Sequence, residues 1–381
     1  MKVSVLIPTY NRSYIIGDAI ESALNQSYRN SEILVIDDGS SDETRRIVEA
    51  FGQKVCYLQH GRNRGCSAAY NTGISAATGE LVAFLDSDDV WQSDYLQRQV
   101  TFFSRHPEAD VVFSDAEIRG LTTIPSLIKL MNAFRKLLAA RAKADEYVFS
   151  SREMYLCLLE EVPVKPSACV VRKELFQRAG LFDETWPSGT DWDLFLRFSR
   201  SACFGYINRP LVVQRRTRDA THQKFREQDK LFLLNVLNLE KNKLHNDPEA
   251  LSAVNRGITL HYNSLAWTYL EKDEWAKALS VYWRGFRQTL HPILLRKLGS
   301  SLVRMAFRGV TGAYVWESRD TSAAEYLMKT GELPGSRVNG GPLVGESEAN
   351  VAGASGEAMG NSDAPAAARI TYRSRWRGHR G

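Results

Sequence analysis

The chain has 381 residues, 44% of them hydrophobic, which suffices for one large globular domain and a smaller one and excludes a low-complexity or fibrous protein as a whole. Its formal net charge of +5 is mild and fits an anionic ligand or an anionic membrane surface. No run of Lys and Arg interleaved with aromatics is present, which argues against nucleic acid as the partner. VSVLIP (3–8) is a β-branched run ending at a proline and predicts a buried strand. Ile15, Ile16, Ala19, Ile20, Ala23 and Leu24 then repeat at helical spacing. EILVID (32–37) is a second strand, and Ser40 with Glu43 has the spacing of a capping box opening a helix over DETRRIVEAF. KVCYLQ (54–59) is a third strand. An Asn/Gly/Arg-rich turn, HGRNRG (60–65), leads into a small-residue helix over 66–77. LVAFLD (81–86) predicts a fourth strand, Trp91 to Ser104 a helix, and DVVFSD (110–115) a fifth strand.

This alternation predicts parallel βαβ units and an α/β fold with a doubly wound, mainly parallel sheet. In 121–150 the rhythm breaks. Leu127, Ile128, Leu130, Met131, Phe134, Leu137 and Leu138 form a helical apolar stripe flanked by Lys129, Arg135, Lys136, Arg141 and Lys143. It reads either as a helix packed on the sheet or as a basic amphipathic helix on an anionic membrane. The strands stop near residue 236. Residues 260–288 read as two helices joined near Glu271–Asp273, faintly like one tetratricopeptide unit, and one unit is below the three a solenoid needs. Residues 290–313 are apolar and basic, a second candidate for membrane contact. After about 331 the composition turns to Gly, Ala, Ser and Glu and predicts disorder. The expected organisation is an α/β domain over 1–235, a helical accessory region over 236–330 and a disordered tail over 331–381.

Open α/β sheets bind ligands outside the carboxyl ends of their strands. Thr9-Tyr10, Asp37-Asp38 and Asp86-Ser87-Asp88-Asp89 all follow predicted strands. Carboxylates at alternating positions, Asp86 and Asp88, can place oxygens around one hard cation such as Mg²⁺ or Mn²⁺ beside substrate phosphates. The same residues also suit a polar loop before a helix. Asp37-Asp38-Gly39-Ser40 can accept hydrogen bonds from a ribose or a base, and equally forms a turn and helix cap. Arg62 or Arg64, in the turn after strand three, can balance a diphosphate. Thr190-Asp191-Trp192-Asp193 opens a helix. Asp191 shares a face with Leu194, Phe195 and Phe198, and Asp193 with Arg197 is an i,i+4 pair. A carboxylate starting an apolar face is partly desolvated, as a general base requires; a first-turn Asp favoured by the helix dipole is the plainer reading.

Five stretches together resemble the family 2 glycosyltransferases of the GT-A fold. They are VSVLIPTYNR (3–12), ILVIDDGSSDET (33–44), NRGCSAAYNTGISAATGELVAFLDSDDVW (63–91), GLFDE (180–184) and TDWDLFLR (190–197), and they cover roughly 1–215. The resemblance implies a nucleotide-diphospho-sugar donor, a UDP-sugar foremost, and Mg²⁺ or Mn²⁺. Pro8, Thr9 and Tyr10 would border the nucleotide, with Asp38 at the base and Asp37 its neighbour. Arg64 and Ser87 would lie by the diphosphate. Asp86 and Asp88 fill the DxD positions, Asp89 adjoins the metal, and Asp191 stands where the family carries its catalytic base. The implied reaction is inverting, non-processive transfer to a glycan or lipid-linked hydroxyl, in the making of a cell-surface polysaccharide. Two departures stand out. Thr190 occupies a position where members often carry Glu, and Gln214-Arg215-Arg216-Thr217, with His222 beyond, replaces a Tyr-Arg-x-His-like stretch. No QxxRW motif of processive synthases is present.

Two other readings share the fold. A nucleotidyltransferase wants a Gly-rich basic loop after strand one, where PTYNR stands, and a non-catalytic nucleotide-sugar-binding protein has no need of Asp191. Cys56, Cys66, Cys157, Cys169 and Cys203 are odd in number and form no CxxC pair, which predicts reduced thiols. No stretch reaches the roughly 20 apolar residues of a membrane span, and Met1-Lys2 leads straight into a strand pattern. A cytoplasmic protein, with membrane contact only peripheral, is the expectation.

Overall fold

The computed structural model describes residues 1–120, 123–186, 189–216 and 226–311. β1 (Val3–Thr9), β2 (Ser31–Asp37), β3 (Cys56–Gln59) and β4 (Leu81–Phe84) pair in parallel in the order β3-β2-β1-β4. They are joined by α1 (Ile16–Leu24), α2 (Thr44–Glu49) and α3 (Cys66–Ala76). Val3, Val5 and Ile7 pack with Ile16, Ala19 and Ile20 of α1, while Leu6 packs with Ala69, Tyr70 and Ile74 of α3. Successive strand residues face opposite sides, so a strand covered on both must be apolar almost throughout. Pro8 is tolerated inside β1 because the β4 ladder already ends at Leu6, leaving β2 as its neighbour. The chain runs outward from β1 to β3 and then returns to the other side of β1 as β4. The loops after β1 and β4 therefore diverge, and a crevice opens at that switch point.

Past β4 the sheet becomes mixed. β5 (Val90–Trp91), β6 (Ala109–Gly120), β7 (Glu146–Phe149), β8 (Cys169–Arg172) and β9 (Cys203–Arg216) complete the nine strands of the sheet among the described residues. β8 is antiparallel to both β4 and β6, β9 runs parallel to β6, and β5 and β7 each pair antiparallel with β9. Three local expectations are corrected. Trp91 does not begin a helix: it pairs with Val212 in β5, and α4 (Tyr95–Arg105) starts four residues later. Ser40 and Glu43 form no capping box, because the Ser40 hydroxyl accepts from the Asn11 amide at 2.8 Å and α2 begins only at Thr44. Glu146–Phe149 is a strand the helical stripe had obscured.

The stripe itself is divided between a 3₁₀ turn, Leu127–Leu130, and α5 (Asn132–Ala139). Leu127, Ile128 and Phe134 are buried, and Phe134 meets the rings of Phe113, Phe149 and Tyr206. This apolar face is spent on the protein's own core. α6 (Ser151–Leu158), α7 (Lys173–Ala179) and α8 (Thr190–Phe198) follow on the same side.

The expected pair of helices appears within a longer array: α9 (Arg226–Lys241), α10 (Pro248–Glu271), α11 (Trp275–Thr289) and α12 (Pro292–Thr311). These share the core of the α/β part. The Trp192 ring of α8 lies 4.7 Å from that of His261 of α10, and the Trp186 ring 4.7 Å from that of Phe232 of α9, both pairs tilted. Gly257 lets α10 approach so closely that a Cβ there would stand 2.0 Å from the Leu159 carbonyl oxygen. The boundary expected at 235/236 falls inside α9. Residues 331–381, the expected tail, lie outside the described residues, as does His222. No helix among the described residues is long and apolar enough to cross a membrane.

Candidate active site

The crevice is built from loops that brace one another. Asn11 adopts a left-handed φ of 52°, and its side-chain oxygen accepts from the Ser41 amide at 2.9 Å. Gly39, with φ +80°, lies against the 60–65 loop, where a Cβ would come within 2.7 Å of the Arg62 carbonyl carbon. Only glycine serves both the turn and that approach.

Asp38 ties this corner together. It is 3% exposed; its Oδ1 accepts from the His60 Nδ1 at 2.7 Å and the Arg64 amide at 2.9 Å, and its Oδ2 from the Gly65 amide at 2.7 Å. His60 Nε2 lies 2.9 Å from the Thr72 hydroxyl on α3. Asp37 is fully buried and accepts from the Ser40 amide and the Tyr57 hydroxyl. Both acids of the second strand end thus hold loops in place. Thr9 and Tyr10 flank them differently. Thr9 is buried and its hydroxyl has no partner among the described residues, whereas Tyr10 is 46% exposed at the rim. The Arg64 guanidinium turns outward to Glu184 at 3.0 Å rather than into the crevice.

The Asp86–Asp89 loop is held from below and from the side. The buried Ser167 hydroxyl accepts from the Asp86 amide at 3.1 Å, and the Tyr70 hydroxyl donates to the Asp86 carboxylate at 2.6 Å. Asp89, 4% exposed, accepts from the Arg215 amide at 3.1 Å and from Gln214 at 3.4 Å. Arg215 also donates to the Asp88 carbonyl and pairs with Asp18 of α1. Asp89 and Arg215 therefore fasten the loop to β9. Ser87 is buried beside them. Desolvation first, then the charges of Asp88 and Asp191, push the Asp86 carboxyl up to about 6.

Asp191 enters from α8, whose first turn is clasped to α3 by the Ser67 and Thr190 hydroxyls, 2.7 Å apart. Thr190 serves as this clasp. Leu194, Phe195 and Phe198 on the Asp191 face are buried, while Asp193 turns away to Arg197 at 2.9 Å. The charge of Asp191 reaches both Asp86 and Lys165. Desolvation lowers the Lys165 ammonium, against the pull of Asp191.

Cys66, at the start of α3, shows how these pieces converge. Its thiol is pushed up by desolvation and then by Asp86, Asp191, Asp38 and Asp88. Four carboxylates from three separated stretches of chain thus bear on one sulfur. Cys66, His60, Tyr70, Lys165 and Ser167 carried no sequence signal, since each acts through what the fold sets beside it.

Among the described residues no three His, Cys, Asp or Glu side chains form a metal cage by themselves. Two mutually repelling carboxylates, one of them desolvated, fit a cation of the Mg²⁺ or Mn²⁺ type, whose remaining ligands come from water and substrate phosphate. The unpartnered Thr9 hydroxyl leaves one buried polar group for a ligand in the same crevice.

Residues 4–178 match the family model described as glycosyl transferase family 2. An uncharacterized glycosyltransferase of Rickettsia prowazekii is 30% identical over 213 residues, covering 56% of this chain and 63% of its own. The UDP-Glc:alpha-D-GlcNAc-diphosphoundecaprenol beta-1,3-glucosyltransferase WfgD of Escherichia coli is 38% identical over 105 residues, 27% of this chain and 42% of its own. This chain thus spans less than two thirds of either relative. TarS 1–349 of S. aureus in complex with UDP-GlcNAc superposes with a TM-score of 0.56 at 19% identity, covering 74% of this chain and 81% of that one. The order β3-β2-β1-β4, the mixed extension of the sheet and the acids at its switch point agree with these matches: residues 4–178 form a glycosyl transferase family 2 domain on a GT-A fold.

Proposed function

We propose that the chain transfers a sugar from a nucleotide-diphospho-sugar, most suitably a UDP-sugar, to a hydroxyl of a glycan or lipid-linked acceptor, with inversion at the anomeric carbon. The observation that carries this reading is the convergence of Asp38, Asp86, Asp88 and Asp191 around Cys66 at the switch point of the sheet. The named substrates of WfgD and the UDP-GlcNAc in the TarS complex support the donor class. The acceptor chemistry of WfgD, a diphosphoundecaprenol-linked sugar, supports a role in cell-surface polysaccharide synthesis.

The chain's own residues divide the work. Thr9, Tyr10 and the loops braced by Asp37 and Asp38 enclose the nucleoside, and Pro8 shapes that strand end. Asp86 and Asp88 would hold Mg²⁺ or Mn²⁺ with the donor diphosphate, and the cation would supply charge neutralisation of the leaving group. Asp89 and Ser87 position that loop, and Arg64, released from Glu184, is long enough to meet phosphate. Asp191 accepts the proton of the acceptor hydroxyl as its oxygen bonds to the anomeric carbon and the bond to the diphosphate breaks. Lys165, within electrostatic reach of Asp191, lines the acceptor side with positive charge.

Calorimetric titration with UDP, with and without Mn²⁺, tests the donor half. Screening UDP-, GDP- and dTDP-sugars for hydrolysis and transfer tests the rest. UDP binding that Mn²⁺ strengthens is expected. No nucleotide binding under either condition would sink the proposal.

A further inference from the structure

One face of α3 reaches both the Asp86 loop and the helix that carries Asp191. Ser67, Tyr70 and Asn71 stand at i, i+3 and i+4, and all three are buried. Ser67 clasps Thr190 beside Asp191. Asn71 grips the 180–184 loop: its Oδ1 accepts from the Phe182 amide at 3.0 Å, and its Nδ2 donates to the Phe182 carbonyl and to Glu184, each at 2.9 Å. Between these two the Tyr70 hydroxyl donates to Asp86 Oδ1 at 2.6 Å. The Tyr70 ring is stacked on Phe182, with centroids 5.1 Å apart and planes 16° apart, and it meets Phe84 edge-on at 5.0 Å. Phe84 ends β4, two residues before Asp86.

A tyrosine ring is set by two side-chain torsions, and here packing against Phe84 and Phe182 fixes them. The hydroxyl is therefore delivered to Asp86 at one place. Its chemistry matters as much as its position. A carboxylate kept for a cation needs a donor to fix its orientation. A Lys or Arg donor would cancel the charge that draws the cation, whereas a phenol donates while staying neutral. We infer that Tyr70 is a positioning residue of the cation site. It holds Oδ1 of Asp86 so that Oδ2 is the oxygen presented to the cation, and its ring, through Phe182, ties that setting to the loop that leads to Asp191. The inference rests on the proposed role of Asp86 and Asp88 in holding Mg²⁺ or Mn²⁺.

The test is titration of the full chain with Mn²⁺ in the presence of saturating UDP, the free ion being counted by electron paramagnetic resonance, beside UDP calorimetry without metal. Tyr70→Phe removes one oxygen atom and keeps the ring stack. It is expected to weaken Mn²⁺ binding about 10–100-fold while metal-free UDP affinity stays within about twofold, because the hydroxyl acts on the metal ligand alone. Phe182→Leu leaves the hydroxyl in place and takes away its support. It is expected to weaken Mn²⁺ binding about threefold, and to add nothing once the hydroxyl is gone. If Mn²⁺ does not bind the wild-type chain, the cation role of Asp86 falls and the inference with it. If Mn²⁺ binds wild type and Tyr70→Phe alike, only the role of Tyr70 falls. A loss of metal-free UDP binding in Tyr70→Phe as large as the loss of Mn²⁺ binding would show that Tyr70 serves the fold, and overturns the inference equally. So would effects of the two substitutions that multiply in the double variant, since the ring of Phe182 would then not act through Tyr70.

Discussion

Asp38 accepts three hydrogen bonds while 3% exposed, so Asp38→Ala strands the His60 imidazole and the amides of Arg64 and Gly65 at once. A buried donor left unsatisfied costs about 1–3 kcal/mol. The two amides lie on an exposed loop that can open to water, so they count near the low end; His60, enclosed between Asp38 and Thr72, counts higher. The sum is about 3–5 kcal/mol, a large part of the roughly 5–15 kcal/mol that holds a domain folded. Asp38→Asn keeps one acceptor but sets an amide N–H₂ against an N–H donor, so its loss is about 1–2 kcal/mol. Urea denaturation followed by tryptophan fluorescence is expected to rank wild type above Asn and Asn above Ala. UDP affinity is expected to fall in the same order, because release of the 60–65 loop unmakes the floor of the crevice. An Ala variant within about 0.5 kcal/mol of wild type that still loses UDP would refute the bracing role and leave Asp38 as a simple ligand contact.

Asp191→Asn is expected to lower kcat by about 10²–10⁴-fold while UDP affinity, by calorimetry, stays within about twofold; preserved turnover means the base lies elsewhere. Lys165→Met is expected to raise the acceptor KM more than it lowers kcat, and an effect on donor KM alone would move Lys165 to the diphosphate side. Burial, with the charge of Lys230, lowers His261 from 6.5 to about 4. The unfolded chain thus takes up this proton first, and stability is lost as pH falls from about 6.5 to about 4, by about 3 kcal/mol at full extent. His261→Leu should flatten the urea midpoint across that window, and an unchanged slope would show that other groups govern it. Gly257→Ala forces a methyl to within 2.0 Å of the Leu159 carbonyl oxygen and is expected to cost about 1–3 kcal/mol; a neutral result would mean that α10 does not approach Leu159 as described.

Much of the first half was legible residue by residue. The runs at 3–8, 32–37 and 81–86 are apolar because both sheet faces are covered, and local pattern reports that directly. The acids after them were legible as strand ends. What misled were positions where neighbours distant in sequence decide. Trp91 reads as helical until β9 supplies its partner, and the 127–138 stripe reads as amphipathic for either a membrane or a core. Hydrophobic period records that a face is covered, never by what.

The sequence by itself determined the order of the first four strands and the helices between them, the placing of carboxylates at strand ends, and the motifs of a family 2 domain, since these reside in short stretches of chain. Only the tertiary structure decided that Asp37, Asp38 and Asp89 spend their oxygens bracing loops. It also brought Asp191 to Asp86 across more than a hundred residues, spent one amphipathic stripe on the core and left the other outward. Hydrogen-bond partners, desolvation and exposure are properties of what surrounds a side chain, and those surroundings exist only once the chain has folded.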